Sequence, residues 1–360
     1  MSYRFFSIIP PGLESTLETE LLNFLSAPSS SKIRKEIGGV SFTASLQEGI
    51  MLLEKLRTPS KILLRLGTKK LRRMKDIESL FNRANLQKLF PAQSSFSIDV
   101  YSQKSTLRGD IIKSKSKRIL KALFPQNKNP SYLLQLRVNE NQGVLSVQLN
   151  DGPLYKRGWR DRQGKASLRE NLACALLILC NWKPNQPLLD PFCGSGTIPI
   201  EAYRMACDLP TRLSPQRNWT TLLPLKQHTV PPIKFKTKPL LIFGSDQEEQ
   251  AILMSEENAR KAAALIHWHK SPVEDVHMSH TNGVILTNPP YGLRLGKNVD
   301  SVYRKLGQLH QHTLPSWNLF FLTPHKRLAK LVNSNVVSIA RFPQGGLWVD
   351  LYYAPQHAKP

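Results

Sequence analysis

Asp190-Pro191-Phe192-Cys193-Gly194-Ser195-Gly196-Thr197 is the stretch on which the fold turns. Pro187–Asp190 reads as a short buried strand and Thr197 to Cys207 as a helix, so the two glycines sit in a strand-to-helix turn. Gly194 and Gly196 carry no side chain, which lets a ligand come close to the backbone. The spacing differs from the dinucleotide fingerprint and there is no P-loop lysine, so the loop alone does not choose a ligand. Outward from it, helix and strand patterns alternate. Leu172 to Leu179 is an apolar helix; Leu240–Phe243 a strand; Glu248–Ala264 a helix; Gly283–Thr287 a strand; Val302–Leu314 a helix; Leu319–Leu322 a strand; Lys326–Leu331 a helix. Val336–Phe342 and Leu347–Tyr353 flank Gly345-Gly346 as a hairpin. This predicts an α/β fold, a mainly parallel sheet with an antiparallel edge. Residues 208–239, rich in proline and without periodicity, read as an insertion.

In such a sheet, ligands bind beyond the carboxyl ends of the strands. Two further motifs fall there. Gly244-Ser245-Asp246 follows the second strand, where a carboxylate can accept both hydroxyls of a ribose. The plainer reading of Asp246 is a helix cap; its place one strand after the glycine loop favours the ribose. Asn288-Pro289-Pro290-Tyr291 follows the next long strand. An exocyclic amine is a poor nucleophile because its lone pair is delocalised into the ring. The Asn288 side-chain oxygen and the Pro289 carbonyl can accept its two N–H groups, which localises that pair and stabilises charge developing on nitrogen. Pro289 and Pro290 fix the backbone, and Tyr291 offers a face for the base. An Asn-Pro turn after a buried strand is the plain alternative, and the ordered set Asp190, Asp246, Asn288 outweighs it. Together the motifs point to methyl transfer onto the amino group of a base. A positive sulfonium donor, S-adenosylmethionine, needs mainly alignment and no general base. His267, His269, His277 and His280 have no Cys or carboxylate at ligand spacing, so no metal is expected.

The first 150 residues read differently, as an α+β region. Leu13, Leu17, Leu21 and Leu25 fall on one helix face after a strand at Phe5–Ile9. Strands are expected at Val40–Phe42, Ile62–Leu66, Phe96–Tyr101, Leu133–Val138 and Val144–Leu149, with helices at Leu46–Leu56 and Ile111–Phe124. Lys113, Lys115, Lys117, Arg118 and Lys121 ride on the last helix without an acidic partner on it, either a solvated face or a phosphate-facing one. Tyr155-Lys156-Arg157-Gly158-Trp159-Arg160 is either a segment covering the second domain or a basic, stackable one near its site.

Composition bounds the partners. The 360 residues carry 50 Lys+Arg against 26 Asp+Glu, a formal +24 spread over both halves, which points to a polyanion and most often nucleic acid. Cys174, Cys180, Cys193 and Cys207 form no CxxC pair, so neither zinc nor disulfides are expected and the compartment should be reducing. Glu14, Glu18 and Glu20 interrupt the start, which argues against a signal peptide. No run reaches the ~18 apolar residues that span a bilayer. No membrane partner and a cytoplasmic location are the expectation.

Residues 150–353 resemble the class I methyltransferases that carry an N-terminal THUMP domain. The matching stretches are Leu168 to Ala173, Leu188 to Ala202, Gly244-Ser245-Asp246 and Thr287 to Gly296. Residues 1–150 resemble the ferredoxin-like plus THUMP region of that family, most clearly at Pro11 to Glu14 and Gly38-Gly39-Val40. The resemblance implies a ferredoxin-like region at 1–55, an RNA-binding THUMP domain at 56–150, a linker at 151–166 and a Rossmann-like methyltransferase domain at 167–360. It implies S-adenosylmethionine bound by Asp190, Phe192, Gly194, Ser195, Gly196 and Thr197, with Asp246 on its ribose. Asn288, Pro289, Pro290 and Tyr291 would hold the target amine. The family's adenine-binding Asp, aligned on Ile266-His267-Trp268, falls near Pro272; Glu274 and Asp275 just beyond are the candidates. The activity implied is methylation of guanine N2 in structured RNA, 23S rRNA by the nearest branch and tRNA by a sister branch. Amino methylation of adenine or cytosine, and a non-catalytic RNA-binding or assembly factor that retains the fold, are the other readings.

Overall fold

The computed structural model describes residues 2–25, 32–125, 130–160, 167–213, 222, 239–291 and 299–355. The chain forms two compact units: Met1–Ile9 with Glu18–Leu154, and Pro10–Leu17 with Tyr155–Ser214 and Pro232–Pro360. The predicted linker residues 161–166 and most of the predicted 208–239 insertion lie outside the described residues.

The first unit is built on seven strands: β1 (Tyr3–Ile8), β2 (Arg34–Glu36), β3 (Gly39–Ala44), β4 (Lys61–Lys70), β5 (Phe96–Gln103), β6 (Tyr132–Asn139) and β7 (Gln142–Gln148). They lie in the order β2-β3-β1-β4-β7-β6-β5. Strand β4 pairs with β1 on one side and β7 on the other, so the 1–55 and 56–150 segments share one sheet. Its second half, Gly67–Lys70, carries little apolar signal. Backbone pairing to β7 past a bulge near Gly67 extends it beyond the Ile62–Leu66 stretch legible from alternation.

Among the described residues, five helices belong to this half of the chain, one of them the four-residue helix Leu86–Leu89. Helix α1 (Glu14–Phe24) buries Leu17 and Leu21, with Leu13 and Leu25 buried at its flanks. Helix α2 (Leu46–Lys55) starts at a reciprocal capping box between Ser45 and Glu48. Helix α3 (Met74–Ala84) went unread in the sequence, although Ile77, Leu80, Phe81 and Ala84 recur at helical spacing and are all buried. Helix α4 (Gly109–Leu123) joins β5 to β6 as a parallel crossover. The expectation of unpartnered cations on α4 needs correction. Lys113 lies 3.6 Å from Asp99 on β5, and Lys115 pairs with Glu78 on α3. Tertiary packing supplies acids that the helix itself lacks; Lys117, Arg118 and Lys121 remain exposed.

The second unit carries β8 (Leu188–Asp190), β9 (Ile242–Asp246), β10 (His267–Lys270), β11 (Val284–Thr287), β12 (Asn318–Thr323), β13 (Val337–Gln344) and β14 (Leu347–Ala354). Their order is β10-β9-β8-β11-β12-β14-β13. The first five are parallel; β14 runs antiparallel to β12 and turns back into the edge strand β13. Helices α5 (Glu170–Leu179), α6 (Thr197–Ala206), α7 (Glu249–Lys261), α8 (Val299–Gln308) and α9 (Lys326–Val332) alternate with the strands. A five-residue π-helical turn, Leu309–Thr313, continues α8. This is a Rossmann-like α/β sheet. Chain order runs from β8 outward to β9 and β10, then crosses to β11 and β12, so the topological switch point lies between β8 and β11.

Residues 155–160 alternate between this unit's interior and its surface, with Lys156 and Gly158 exposed. Arg157 and Trp159 are fully buried. The Trp159 indole N–H donates to Glu201 on α6 (3.2 Å), Arg157 lies 3.6 Å from the same carboxylate, and the Cys174 thiol donates to its other oxygen (3.0 Å). Trp159 and Arg157 thus pack into the domain, and the Trp159 ring is not available for a base. All four cysteines are buried free thiols. Among the described residues, no helix is long and apolar enough to cross a membrane.

Candidate active site

At the switch point a short side-chain hydrogen bond links β11 to β8 beyond their backbone pairing. Thr287, the last residue of β11, donates from Oγ1 to Asp190 Oδ1 at 2.6 Å, and the Phe192 N–H donates to the same oxygen at 3.2 Å. Asp190 is almost fully buried. Burial pushes its carboxyl up to about 7; the nearby Asp246 charge pushes the same way, against the two donors.

The glycine loop turns above this bond. Gly194 and Gly196 have φ of +54° and +79°, the left-handed region that glycine enters without strain. They differ in their surroundings. A Cβ at Gly196 would meet Trp268 Cη2 at 2.8 Å, Ile200 at 3.1 Å and Ser255 at 3.2 Å, whereas one at Gly194 would meet nothing within 4 Å. Gly196 is thus a packing requirement, and Gly194 leaves open space beside the backbone. Helix α7 clamps the loop from behind: Ser255 Oγ donates to the Gly194 carbonyl (2.8 Å) and Asn258 Nδ2 to the Ser195 carbonyl (3.0 Å). Trp268 on β10 also fills the space over Gly244, where a Cβ would lie 2.3 Å from the ring.

Asp246 ends β9. Its Oδ2 accepts the Gly194 N–H (3.0 Å) and its Oδ1 the Glu248 N–H (3.1 Å). Burial raises its carboxyl above the ordinary value, with those two amides opposing. Helix α7 is capped at Glu248, so Asp246 is not its N-cap residue. The hydroxyls of Ser195 and Thr197 are buried and 3.5 Å apart. Thr197 Oγ1 also accepts from Arg160 Nη2 (2.5 Å), whose guanidinium donates to the Leu168 carbonyl (2.9 Å) and lies 3.4 Å from Glu170. Arg160 therefore braces the start of α6.

Asn288 follows Thr287 directly. Its Oδ1 is buried without a donor, an arrangement that costs about 1–3 kcal/mol unless a ligand satisfies it. Pro289 is buried, and Pro290 and Tyr291 are half-buried. Tyr291 and Phe192 both pack on the apolar cluster around Ile285, Tyr303 and Phe321. Burial raises the Tyr291 phenol, so it is a neutral ring at ordinary pH. Residues 292–298, which include the end of the Thr287–Gly296 motif, lie outside the described residues.

Glu274 and Asp275 sit in the single 3₁₀ turn Val273–Asp275 after β10. They part ways there. Glu274 forms an ion pair with Lys305 of α8, which holds its carboxyl below the ordinary range. Asp275 is exposed. Among the described residues, no group of three or more His, Cys, Asp or Glu side chains is placed to hold a metal; the His267 ring instead stacks on Phe243 at 5.0 Å. The glycine loop, Asp246 and Asn288–Tyr291 thus lie at the carboxyl ends of β8, β9 and β11. Thr287, Trp268, Ser255, Asn258 and Arg160 were not among the expected site residues. Thr287 had a readable signal, since it stands immediately before Asn288.

A Rossmann-like sheet with a glycine loop after its first strand, a carboxylate ending its second and Asn-Pro-Pro-Tyr ending its fourth defines a methyltransferase domain. The chain belongs to the family described as "RMKL-like, methyltransferase domain", whose model matches residues 157–347. It is 27% identical to "Putative RNA methyltransferase YpsC" of Bacillus subtilis over 91% of this chain and 94% of that one. It is 31% identical to "Ribosomal RNA large subunit methyltransferase K/L" of Shewanella woodyi over 89% of this chain and 48% of the relative, so it spans about half the length of that protein. The crystal structure of SMU.472 complexed with SAH superposes with a TM-score of 0.84 at 22% identity, covering 100% of this chain and 99% of that one.

Proposed function

We propose that this protein methylates the exocyclic N2 of a guanine in structured RNA, with 23S rRNA the favoured substrate. The observation that carries the reading is the buried, donor-free Asn288 Oδ1 at the switch point. An amine N–H placed there satisfies the atom and draws the lone pair out of the ring. The Pro289 carbonyl takes the second N–H, Tyr291 supplies the stacking face, and Pro290 holds the turn. The relatives' names speak for RNA, and the +24 charge suits it. We assign residues 56–150 to RNA binding as a THUMP domain, on the resemblance and the exposed cations of α4.

The site fits S-adenosylmethionine as cofactor. Open space faces Gly194, and Asp246 ends the second strand with lone pairs to spare for ribose hydroxyls. When bound, the cofactor supplies the methyl group as an electrophilic sulfonium. Asp190, Phe192, Ser195, Gly196 and Thr197 shape the wall of its site, and Asp275, left free of the Lys305 ion pair, is the better placed of the two candidates for the adenine amine. The target base must be unpaired or flipped for N2 to reach the site.

The test is methyl transfer from labelled S-adenosylmethionine to RNA from cells lacking this activity, fractionated by size, with nucleoside analysis. N2-methylguanosine in the large rRNA is the expected product. Label in tRNA would move the substrate, methylated adenine or cytosine would overturn the base assignment, and cofactor binding without any transfer to RNA would sink the catalytic reading.

A further inference from the structure

The edge hairpin carries a feature that packing does not explain. Trp348 on β14 is 51% exposed, although an indole is among the most valuable side chains to bury. Phe342 and Val349, paired across the strands, are both fully buried, whereas Val337, Ile339 and Leu347 on the same hairpin are exposed like Trp348, and Trp348 is the aromatic ring among them. Alternation then turns Pro343 and Trp348, the next pair, to the opposite face. On that face Arg341 sits with its guanidinium 6.0 Å from the indole centroid and 3.9 Å from Asp350, which accepts a bond from Ser338 (2.8 Å). The result is a flat aromatic surface beside a cation that is itself mostly exposed.

The sheet register says where this surface lies. Thr287 pairs with Phe321, and Thr323 pairs with Asp350. Continuing the first register by two residues sets Pro289 level with Thr323 and Asp350. Trp348 is two residues further along, about 7 Å, and two strands to the side, about 10 Å. That register sets Trp348 on the carboxyl-end side of the sheet, the side on which ligands bind, two strands away from the amine clamp. The opposite arrangement, an exposed ring at the amino-end edge, would have no bearing on substrate.

Resting on the RNA methylation reading above, we propose that Trp348 is a stacking platform for an unpaired base next to the target nucleotide, with Arg341 contacting the adjoining phosphate. A base extruded into a clamp leaves its neighbours unstacked, and an aromatic face with a nearby arginine is how proteins hold such bases without reading their identity. Trp348 is a substrate-positioning residue here, outside the cofactor site.

The test compares the full-length protein with Trp348→Ala, Trp348→Phe and Trp348→Leu. The readouts are KM and kcat on unmodified rRNA, binding of the same RNA on filters, and S-adenosylmethionine affinity. Trp348→Ala should raise the RNA KM about tenfold, with kcat and cofactor affinity unchanged. Phe should restore most of the loss and Leu should not. An unchanged KM overturns the platform; so does full rescue by Leu, which signals apolar packing, or a parallel loss of cofactor affinity, which signals a damaged fold. A wild-type protein that transfers no methyl to RNA would instead remove the parent reading. Filter binding then decides the platform alone: weaker RNA binding by Trp348→Ala with rescue by Phe supports it, and equal binding removes it.

Discussion

Alanine at Gly194 and at Gly196 should damage different properties, although the residues are two apart in one loop. Both have positive φ, so each alanine costs about 1–2 kcal/mol of backbone strain. At Gly196 the new methyl also meets Trp268, Ile200 and Ser255 at 2.8, 3.1 and 3.2 Å. All three sit on regular elements that cannot easily withdraw, and overpacking of this kind adds about 1–3 kcal/mol. At Gly194 there is nothing within 4 Å, so no such cost arises. Gly196→Ala should therefore be about 2 kcal/mol less stable than Gly194→Ala, a gap of about 4–8 °C in Tm for a unit of this size. Cofactor affinity should order the other way per unit of stability lost. The Gly194→Ala methyl fills the space beside the loop and should weaken S-adenosylmethionine tenfold or more, measured by calorimetry at a temperature where both variants are folded. Two results would refute the reasoning. Equal melting of the two variants would mean that Trp268 does not pack as described, and wild-type cofactor affinity in Gly194→Ala would mean that the open space is not where the cofactor lies.

Three further outcomes are expected. Asn288→Ala should lower kcat by about 10²–10³-fold with cofactor affinity retained; equal loss of both in single-turnover and binding assays would contradict its role as amine acceptor. Asp275→Ala should weaken S-adenosylmethionine measurably while Glu274→Ala, which only frees Lys305, should not, and the reverse order would hand adenine recognition to Glu274. Asp190 should make the ligand-free protein less stable as pH rises. Its folded value of about 7 lies above the ordinary 3.8, so between those values the folded state keeps a proton that the unfolded chain has released, and stability falls with pH through that window. Below pH 3.8 the group costs nothing; above 7 the full difference, on the order of 4 kcal/mol at most, is expressed. Urea melts from pH 4 to 8 should show the decline, Asp190→Asn should flatten it, and an identical pH profile in both would reject the assignment.

The parts of the site legible in the sequence are those whose chemistry is local. Asp190 to Thr197 and Asn288 to Tyr291 each complete a turn within a few residues, so their order along the chain already placed them at strand ends. The Rossmann-like half followed for the same reason, since alternating apolar runs with turn residues between them are written locally. Contacts made by distant partners left no such trace. The bond from Thr287 to Asp190 joins residues 97 apart in sequence, and Trp268 seals Gly196 and Gly244 from a strand whose other residues are exposed and polar. Arg160 shows the limit most clearly. In the sequence it is one more cation in a basic, aromatic run that could have faced RNA. In the fold it is nearly buried between Glu170 and the Thr197 hydroxyl, and burial lowers its pKa while both neighbouring carboxylates raise it. Charge counting assigns every cation to the partner, whereas packing decides which are already spent on the protein. Lys113 and Lys115 are spent as well, on Asp99 and Glu78, and surface pairs of that kind contribute little to stability. An RNA phosphate can therefore compete for those two lysines at small cost, but not for Arg160, whose removal would leave the buried Glu170 carboxylate without its ion-pair partner.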